Sequence, residues 1–323
     1  MGKIFLTGCT GFIGHKTTEF LLDKGFEVFG VDNMNDYYDV RIKEWRLKRI
    51  KDNSNFTFNN IDIENYDELD KIFSTNTFDA VINLAARAGV RYSMENPHIY
   101  MTTNANATLN LLEIMKERKI KKMVLASTSS LYAGQKMPFN EELAVNTPIS
   151  QYAATKKAAE VMCYTYHFLY DLDITVVRYF TVYGPAGRPD MSVFRFIKWI
   201  DDGTPIELFG DGTQARDFTY VDDIAKGTIK ALKPLGYEII NLGGGKNPIS
   251  INYVINKIEE YLGKKAKIQN KPFHIADIKE TWADIDKAGK LLNWKPTVDL
   301  DEGLKRSVDW YMDNKSWLKD IKL

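Results

Sequence analysis

A phenol and an ammonium stand one helical turn apart in Tyr152-Ala153-Ala154-Thr155-Lys156, so they share a helix face. A lysine beside a tyrosine favours phenolate over phenol. Such a phenolate can take the proton of an alcohol while hydride leaves the same carbon. The spacing alone is common; what raises it is the run Ser127-Thr128-Ser129-Ser130 at the end of the strand before that helix. Hydroxyls there can reach the same substrate oxygen and share its proton.

A second constellation opens the chain. Gly8-Cys9-Thr10-Gly11-Phe12-Ile13-Gly14 follows an apolar strand and leads into a helix. Glycines at this spacing permit a tight turn and let backbone N–H groups approach a pyrophosphate, with the partial positive charge of the helix N-terminus behind them. A second strand ends at Asp32-Asn33, with Asp32 18 residues past Gly14. A carboxylate there accepts from ribose hydroxyls and repels a 2′-phosphate, which predicts NAD over NADP. Asp62-Ile63 is placed to meet the adenine, and Leu84-Ala85-Ala86 to let a cofactor pass over the sheet edge.

These residues need elements to hold them. Strands are expected at Ile4–Thr7, Glu27–Val31, Phe56–Asn59, Ala80–Leu84, Met123–Ser127 and Ile174–Tyr179. Helices are expected at Phe12–Leu22, Tyr66–Phe73, His98–Arg118 and Tyr152–Leu169, the third opened by Asn96 as cap and Pro97 in the first turn. The alternation predicts an α/β fold with a doubly wound, mostly parallel sheet. Glycine and proline then cluster in 184–189, and further helices follow at Val193–Asp201, Tyr253–Leu262, Ile285–Leu292 and Glu302–Asp313. Residues 1–184 are thus expected to form a dinucleotide-binding domain. Residues 185–323 are expected to form mainly a smaller α/β substrate lobe, with segments returning to the first. The basic run Arg41–Lys51 reads as a solvated helix face.

The bulk numbers exclude several classes. With 43 basic and 43 acidic residues the 323-residue chain has no net field to attract nucleic acid or an anionic membrane. Cys9 and Cys163 stand far apart and suggest neither a disulfide framework nor a metal site. The N-terminal strand lacks the design of a secretory signal, and no apolar stretch approaches a membrane span. A cytoplasmic location is the expectation, with no metal.

Taken together, Gly8/Gly11/Gly14, Asp32, Leu84-Ala85-Ala86, Asn104, Thr128, Tyr152, Lys156, Arg178-Tyr179-Phe180 and Arg216-Asp217-Phe218 resemble the extended short-chain dehydrogenase/reductases, in the NAD-dependent sugar-nucleotide epimerase branch. The resemblance spans essentially the whole chain. It implies that Thr128 assists the tyrosine base, Lys156 holds the nicotinamide ribose, and Tyr179 lies near the nicotinamide. It also implies Asn104 in the cofactor site, Arg216 on the substrate diphosphate (a surface ion pair with Asp217 is the alternative), and Phe209 beside the uracil. Dehydratases of this scaffold carry an Asp-Glu pair after the threonine, and decarboxylases a Glu; here Ser129-Ser130 stand there. Returning the hydride is the remaining outcome, which is C4 epimerisation through a 4-keto sugar.

Three stretches are similar to UDP-glucuronate 4-epimerases: 32–39, 85–93 and 180–191. In that branch Thr128, Ser129, Ser130 and Thr181 would surround the sugar carboxylate, with Arg188 near. Arg87, Arg91, Met191, Val193 and Asp277 complete the expected substrate contacts, and His274 is a further candidate, with an ordinary surface or packed histidine as the alternative. Ala186, where that branch carries Trp, and His274-Ile275-Ala276-Asp277 depart from its pattern. A 4-epimerase of a neutral or modified hexose, of the UDP-glucose or UDP-N-acetylglucosamine type, is the alternative. A non-catalytic NAD sensor is a more remote one, since Tyr152 and Lys156 are both present. The resemblance also implies a homodimer through His98–Arg118 and Tyr152–Leu169.

Overall fold

The computed structural model describes residues 2–273 and 278–323. Strands β1 (Lys3–Thr7), β2 (Glu27–Val31), β3 (Phe56–Asn59), β4 (Ala80–Asn83), β5 (Lys122–Thr128) and β6 (Asp173–Tyr179) alternate with helices α1 (Phe12–Asp23), α2 (Val40–Ile50), α3 (Tyr66–Thr75), α4 (Val90–Glu95), α5 (Pro97–Tyr100), α6 (Ala107–Arg118) and α7 (Gln151–Tyr170). Beyond them come β7 (Thr181–Tyr183), α8 (Ser192–Asp202), β8 (Ile206–Phe209), β9 (Ala215–Arg216), β10 (Phe218–Tyr220), α9 (Val221–Lys230) and β11 (Tyr237–Leu242). Then follow β12 (Ile249–Ser250), α10 (Ile251–Leu262), β13 (Ile268–Lys271), α11 (Asp286–Leu292), α12 (Leu300–Asp313) and α13 (Lys315–Leu318).

The main sheet has the order β11-β6-β5-β4-β1-β2-β3, and every pairing in it is parallel. A parallel sheet must be covered on both faces. Alternation along β1 does this: Ile4 and Leu6 pack with Leu21 of α1 and Ile224 of α9, while Phe5 turns to Leu69 and Phe73 of α3 and Leu111 of α6. Strands β4 and β5 are buried along their whole length. The sheet order reverses between β1 and β4, and the crevice at their carboxyl ends is where an open α/β sheet takes a ligand.

Strand positions agree with the sequence reading to within a residue at each end. Four expectations need correction. Helix α9 and strand β11 went unforeseen, though β11 is the sheet's edge beside β6. The helix expected over 98–118 is broken: α5, a π-helical turn at Met101–Asn106, then α6. Asn96 makes no side-chain cap bond, although Pro97 does sit in the first turn. Nor is α2 a solvated face, because Ile42, Lys43, Arg46 and Ile50 are buried at the spacing of one helix stripe. A further core gathers Ile197 and Ile200 of α8 with Leu208, Val254 and Leu304, and Ile42 of α2 joins it.

Candidate active site

The ends of β1, β2, β4, β5 and β6 open into one cleft of about 410 Å³. At one end lies the glycine-rich turn. Gly8 has φ +71°, and a Cβ there would meet the Ala85 nitrogen at 2.8 Å. A Cβ on Gly14 would lie 1.9 Å from the Gly8 carbonyl oxygen, so only glycine lets α1 start this close to β1. Helix α1 begins without a side-chain cap bond, leaving its first N–H groups open to an anion. Asp32, 8% exposed, accepts from Met34 N at 2.9 Å and Thr10 N at 3.3 Å. Asp62 accepts from Asn33 Nδ2 at 2.6 Å. A backbone cradle, a dipole and a recessed carboxylate fit a dinucleotide with a free 2′-hydroxyl.

At the other end Ser150 caps α7, its oxygen accepting from Ala153 N at 3.2 Å, and so fixes Tyr152 in the first turn. Thr128, the last residue of β5, accepts from Ser130 N at 3.1 Å, and its hydroxyl bears on the Tyr152 phenol. Burial raises the pKa of Tyr152; the Thr128 hydroxyl and the charge of Arg188 pull it back. Arg188 is thus a cation bearing on the phenol in addition to Lys156, which the sequence suggested. Burial pushes Lys156 down to about 8, opposed by the charges of Glu160 and Cys163. Both lysine and tyrosine still line the cleft.

Behind α7 a polar cluster locks the catalytic strand ends. Arg178 on β6 grips Glu160 through Nε at 2.8 Å and Nη2 at 2.7 Å, and both side chains are 1% exposed. Ser127 donates to the same carboxylate at 2.6 Å, and Arg178 donates to Tyr132 at 2.8 Å. Tyr132 in turn donates to Asn241 of β11 at 2.8 Å.

Most expected residues converge. Gly8, Gly11, Phe12, Ile13, Gly14, Asp32, Asn33, Asp62, Ile63, Leu84, Ala85, Ala86 and Tyr179 line the cleft, as do Arg87, Thr128, Ser129, Ser130, Tyr152, Lys156, Thr181, Arg188 and Met191. Val193 lines a small pocket adjoining it. Arg91 stacks over the Phe209 ring at 3.7 Å, beyond the cleft lining and joining α4 to β8. Arg216 donates to the carbonyls of Ala215 at 2.9 Å and Lys279 at 3.0 Å. Asp217 is taken up by the backbone N–H groups of Ala283 at 2.8 Å and Gly245 at 3.2 Å, and burial pushes it up to about 6. His274 and Asp277 lie outside the described residues.

Asn104 is displaced from its expected role. It is 1% exposed and absent from the cleft lining; its side chain accepts from Arg87 N at 2.8 Å and donates to Arg87 O at 3.0 Å and Thr155 at 3.1 Å. It shapes the loop after β4 from beneath.

The sequence reading missed Asn35, Tyr37, Tyr38 and Lys43, all on the cleft wall. Tyr37 is flanked by the guanidinium groups of Arg87 and Arg188, each 5.5 Å from its ring centre, and donates to Ala88 O at 2.6 Å. Lys43 lies 3.4 Å from Asp32. The apolar spacing of Ile42 and Ile50 was the available signal that α2 turns this face inward. Among the described residues no group of His, Cys, Asp and Glu could hold a metal, and no helix is long and apolar enough to cross a membrane.

Comparison with known proteins places this geometry. Residues 5–307 match the family model described as GDP-mannose 4,6 dehydratase. The chain is 63% identical, over all of both chains, to UDP-glucuronate 4-epimerase of Thermodesulfobacterium geofontis. It superposes with a TM-score of 0.90 on the UDP-glucuronic acid 4-epimerase of Bacillus cereus crystallised with UDP-glucuronic acid and NAD, at 39% identity over 97% of this chain and 99% of that one. The UDP-glucose 4-epimerase of Thermotoga maritima superposes with a TM-score of 0.89 at 31% identity, over 97% and 99%.

Proposed function

This chain belongs to the family described as GDP-mannose 4,6 dehydratase, among the extended short-chain dehydrogenase/reductases, and from that premise we propose that it is an NAD-dependent epimerase inverting C4 of UDP-glucuronate to give UDP-galacturonate. One observation carries the reaction type. The hydroxyls of Thr128, Ser129 and Ser130 surround the Tyr152 end of the cleft, and the only acids among its described lining residues, Asp32 and Asp62, lie at the glycine-rich end. Dehydration needs a carboxylic acid beside the sugar, and among the described residues none lines this end. Bound NAD supplies an acceptor for the C4 hydride and gives it back. Tyr152 takes the C4 hydroxyl proton with Thr128 sharing it, then returns it after the keto sugar has turned over in the site.

The same hydroxyls, with Thr181, carry the substrate choice. A 4-keto uronic acid is a β-keto acid prone to lose carbon dioxide. Donors around its carboxylate hold the breaking bond out of line with the ketone, and Arg188, itself paired with Asp190 at 2.6 Å, stands near. Site roles follow. Gly8, Gly11, Phe12, Ile13, Gly14, Asp32, Asn33, Asp62, Ile63, Leu84, Ala85, Ala86, Lys156 and Tyr179 hold NAD. Arg87, Thr128, Ser129, Ser130, Thr181, Arg188, Met191 and Val193 face the nucleotide sugar, with Phe209, Arg216 and Arg91 toward its nucleotide.

Residues 1–184 form the NAD domain and 185–323 mainly the sugar-nucleotide lobe, α9, β11 and α11 returning to the first. Two copies pair through α6 and α7, whose outer faces expose Leu109, Val161, Tyr164, Leu169 and Phe168, the last 73% exposed. Sedimentation as a monomer would remove that pairing. A cytoplasmic location agrees with two free, buried cysteines. Proton NMR of reactions with UDP-glucuronate and with UDP-glucose tests the function. The expected result is faster conversion of the uronate, no net NAD consumption and little UDP-pentose. Thr181→Asn should lower uronate turnover more than glucose turnover. Faster conversion of UDP-glucose by the parent enzyme refutes the substrate assignment.

A further inference from the structure

Arg46 is fully buried on α2, and no carboxylate lies within ion-pair distance of it among the described residues. Its donors go to main-chain oxygens of two separate loops. Nη1 reaches Thr10 O in the glycine-rich turn at 3.0 Å and Tyr38 OH at 2.8 Å. Nε and Nη2 reach Ala186 O at 3.1 and 2.7 Å, and Nη2 reaches Gly187 O at 3.3 Å. The guanidinium also lies over the rings of Phe12 and Tyr38, at 5.8 and 5.6 Å from their centres. A planar fork can span two acceptors in fixed directions, which a lysine cannot.

The far loop needs such a hold. Ala186 has φ +53°, a conformation that residues with a Cβ rarely keep without outside support. Two residues on, Arg188 pairs with Asp190 at 2.6 Å, packs against Tyr37 and Tyr38, donates to Ala88 O at 3.4 Å, and bears on Tyr152. A continuous path thus runs from Thr10 through Arg46 to Ala186 and Arg188. From this path we infer that Arg46 is a positioning residue joining the cofactor turn to the sugar-side loop, so that filling the glycine-rich turn also sets the loop that carries Arg188. The inference rests on the NAD reading above. Its consequence is positive coupling: cofactor binding orders the sugar-side loop, and by reciprocity a ligand on that loop tightens the cofactor.

Backbone hydrogen exchange, followed by mass spectrometry on cofactor-stripped protein with and without saturating NAD, tests this without any sugar. In the parent protein NAD should slow exchange in both 8–14 and 184–191, the latter at least ~5-fold, the lower end of ordinary coupling. In Arg46→Lys, which keeps the charge but cannot bridge both loops, NAD should still protect 8–14 while protection of 184–191 is lost. Arg46→Met should behave likewise with weaker NAD binding, and thermal unfolding of each variant verifies that it is folded. Should NAD protect only 8–14 with Arg46 in place, or protect 184–191 equally in the lysine variant, the inference is overturned. A parent protein that takes up no NAD in calorimetry fails the functional reading, and the coupling with it. Uptake without remote protection fails the inference alone.

Discussion

Two guanidinium groups are buried beside the cleft, and they are satisfied in opposite ways. Arg178, behind the catalytic helix, faces a carboxylate: Glu160 takes two of its bonds. Arg46, in the seam between cofactor turn and sugar-side loop, faces only carbonyls and a phenol. The first arrangement matches the guanidinium with a carboxylate and ties β5, β6 and α7 together through side chains. The second leaves a net positive charge in the interior, close to the uncapped start of α1, and ties two loops through their main chains. A guanidinium matched by a carboxylate needs no ligand to complete it. A charge without a protein anion suits a seam whose anion arrives as a ligand.

Substitutions at the two ends separate these behaviours. The largest effect belongs to the residue the Arg178 cluster positions. Tyr152→Phe should cost ~10²–10⁴-fold in turnover, the range for loss of a general base, while leaving NAD binding intact. Near-normal turnover would mean that another group abstracts the proton. Next, Arg178→Met strands the Glu160 carboxylate and should cost about 3 kcal/mol in urea unfolding, with Lys157 at 3.6 Å softening the loss. Arg46→Met strands only carbonyls and should cost less, about 1–2 kcal/mol. Equal costs would erase the distinction between the two sites.

A pH series sharpens the contrast further. Lys156, next to the Arg178 cluster, is pushed down to about 8 by burial, while the unfolded chain holds its proton to about 10.4. Between those values the unfolded state binds more protons, so this group adds stability as the pH rises. Cofactor-stripped parent protein should therefore gain stability relative to Lys156→Met from pH 8 to 10. A constant difference would contradict the buried ammonium. The smallest effect concerns Lys43, one turn before Arg46 and 3.4 Å from Asp32. Asp32 should make the stripped protein prefer NAD over NADP by at least ~10-fold. Lys43→Met should widen the preference a few-fold by removing a cation that tolerates a 2′-phosphate. Calorimetry giving equal affinities for the two cofactors would remove the role of Asp32.

The contrast also marks what the sequence made legible. Tyr152, Lys156 and the glycine-rich turn were readable because their chemistry depends on local spacing along one helix or one turn. Strand limits were readable because short β-branched runs ended at turn residues. Arg46 and Lys43 were not: a helix as polar as Val40–Ile50 looks solvated until the fold brings a second loop, 140 residues away, against it. Strand β11 failed for a related reason, since it joins the sheet far from the βα alternation that announced the other strands. Arg188 was named near the sugar, but its bearing on Tyr152 depends on the Ala186 backbone, which spacing does not encode. The break in the 98–118 helix was hidden too, because no proline or glycine marks residues 101–106.

That π-helical turn has a consequence for how the chain tolerates change in length. A turn closed over five residues instead of four carries one extra position, so the helical stretches on either side are out of step by about 100°, one residue's rotation. Asn104 sits inside it and reads both main-chain groups of Arg87. Deleting one residue between Met101 and Ala105 would let the backbone relax into an unbroken α-helix, at little cost to helical hydrogen bonding. It would also swing the amide side chain away from the loop after β4. The segment is thus a frame-setting insertion, one the fold can lose and the cleft cannot.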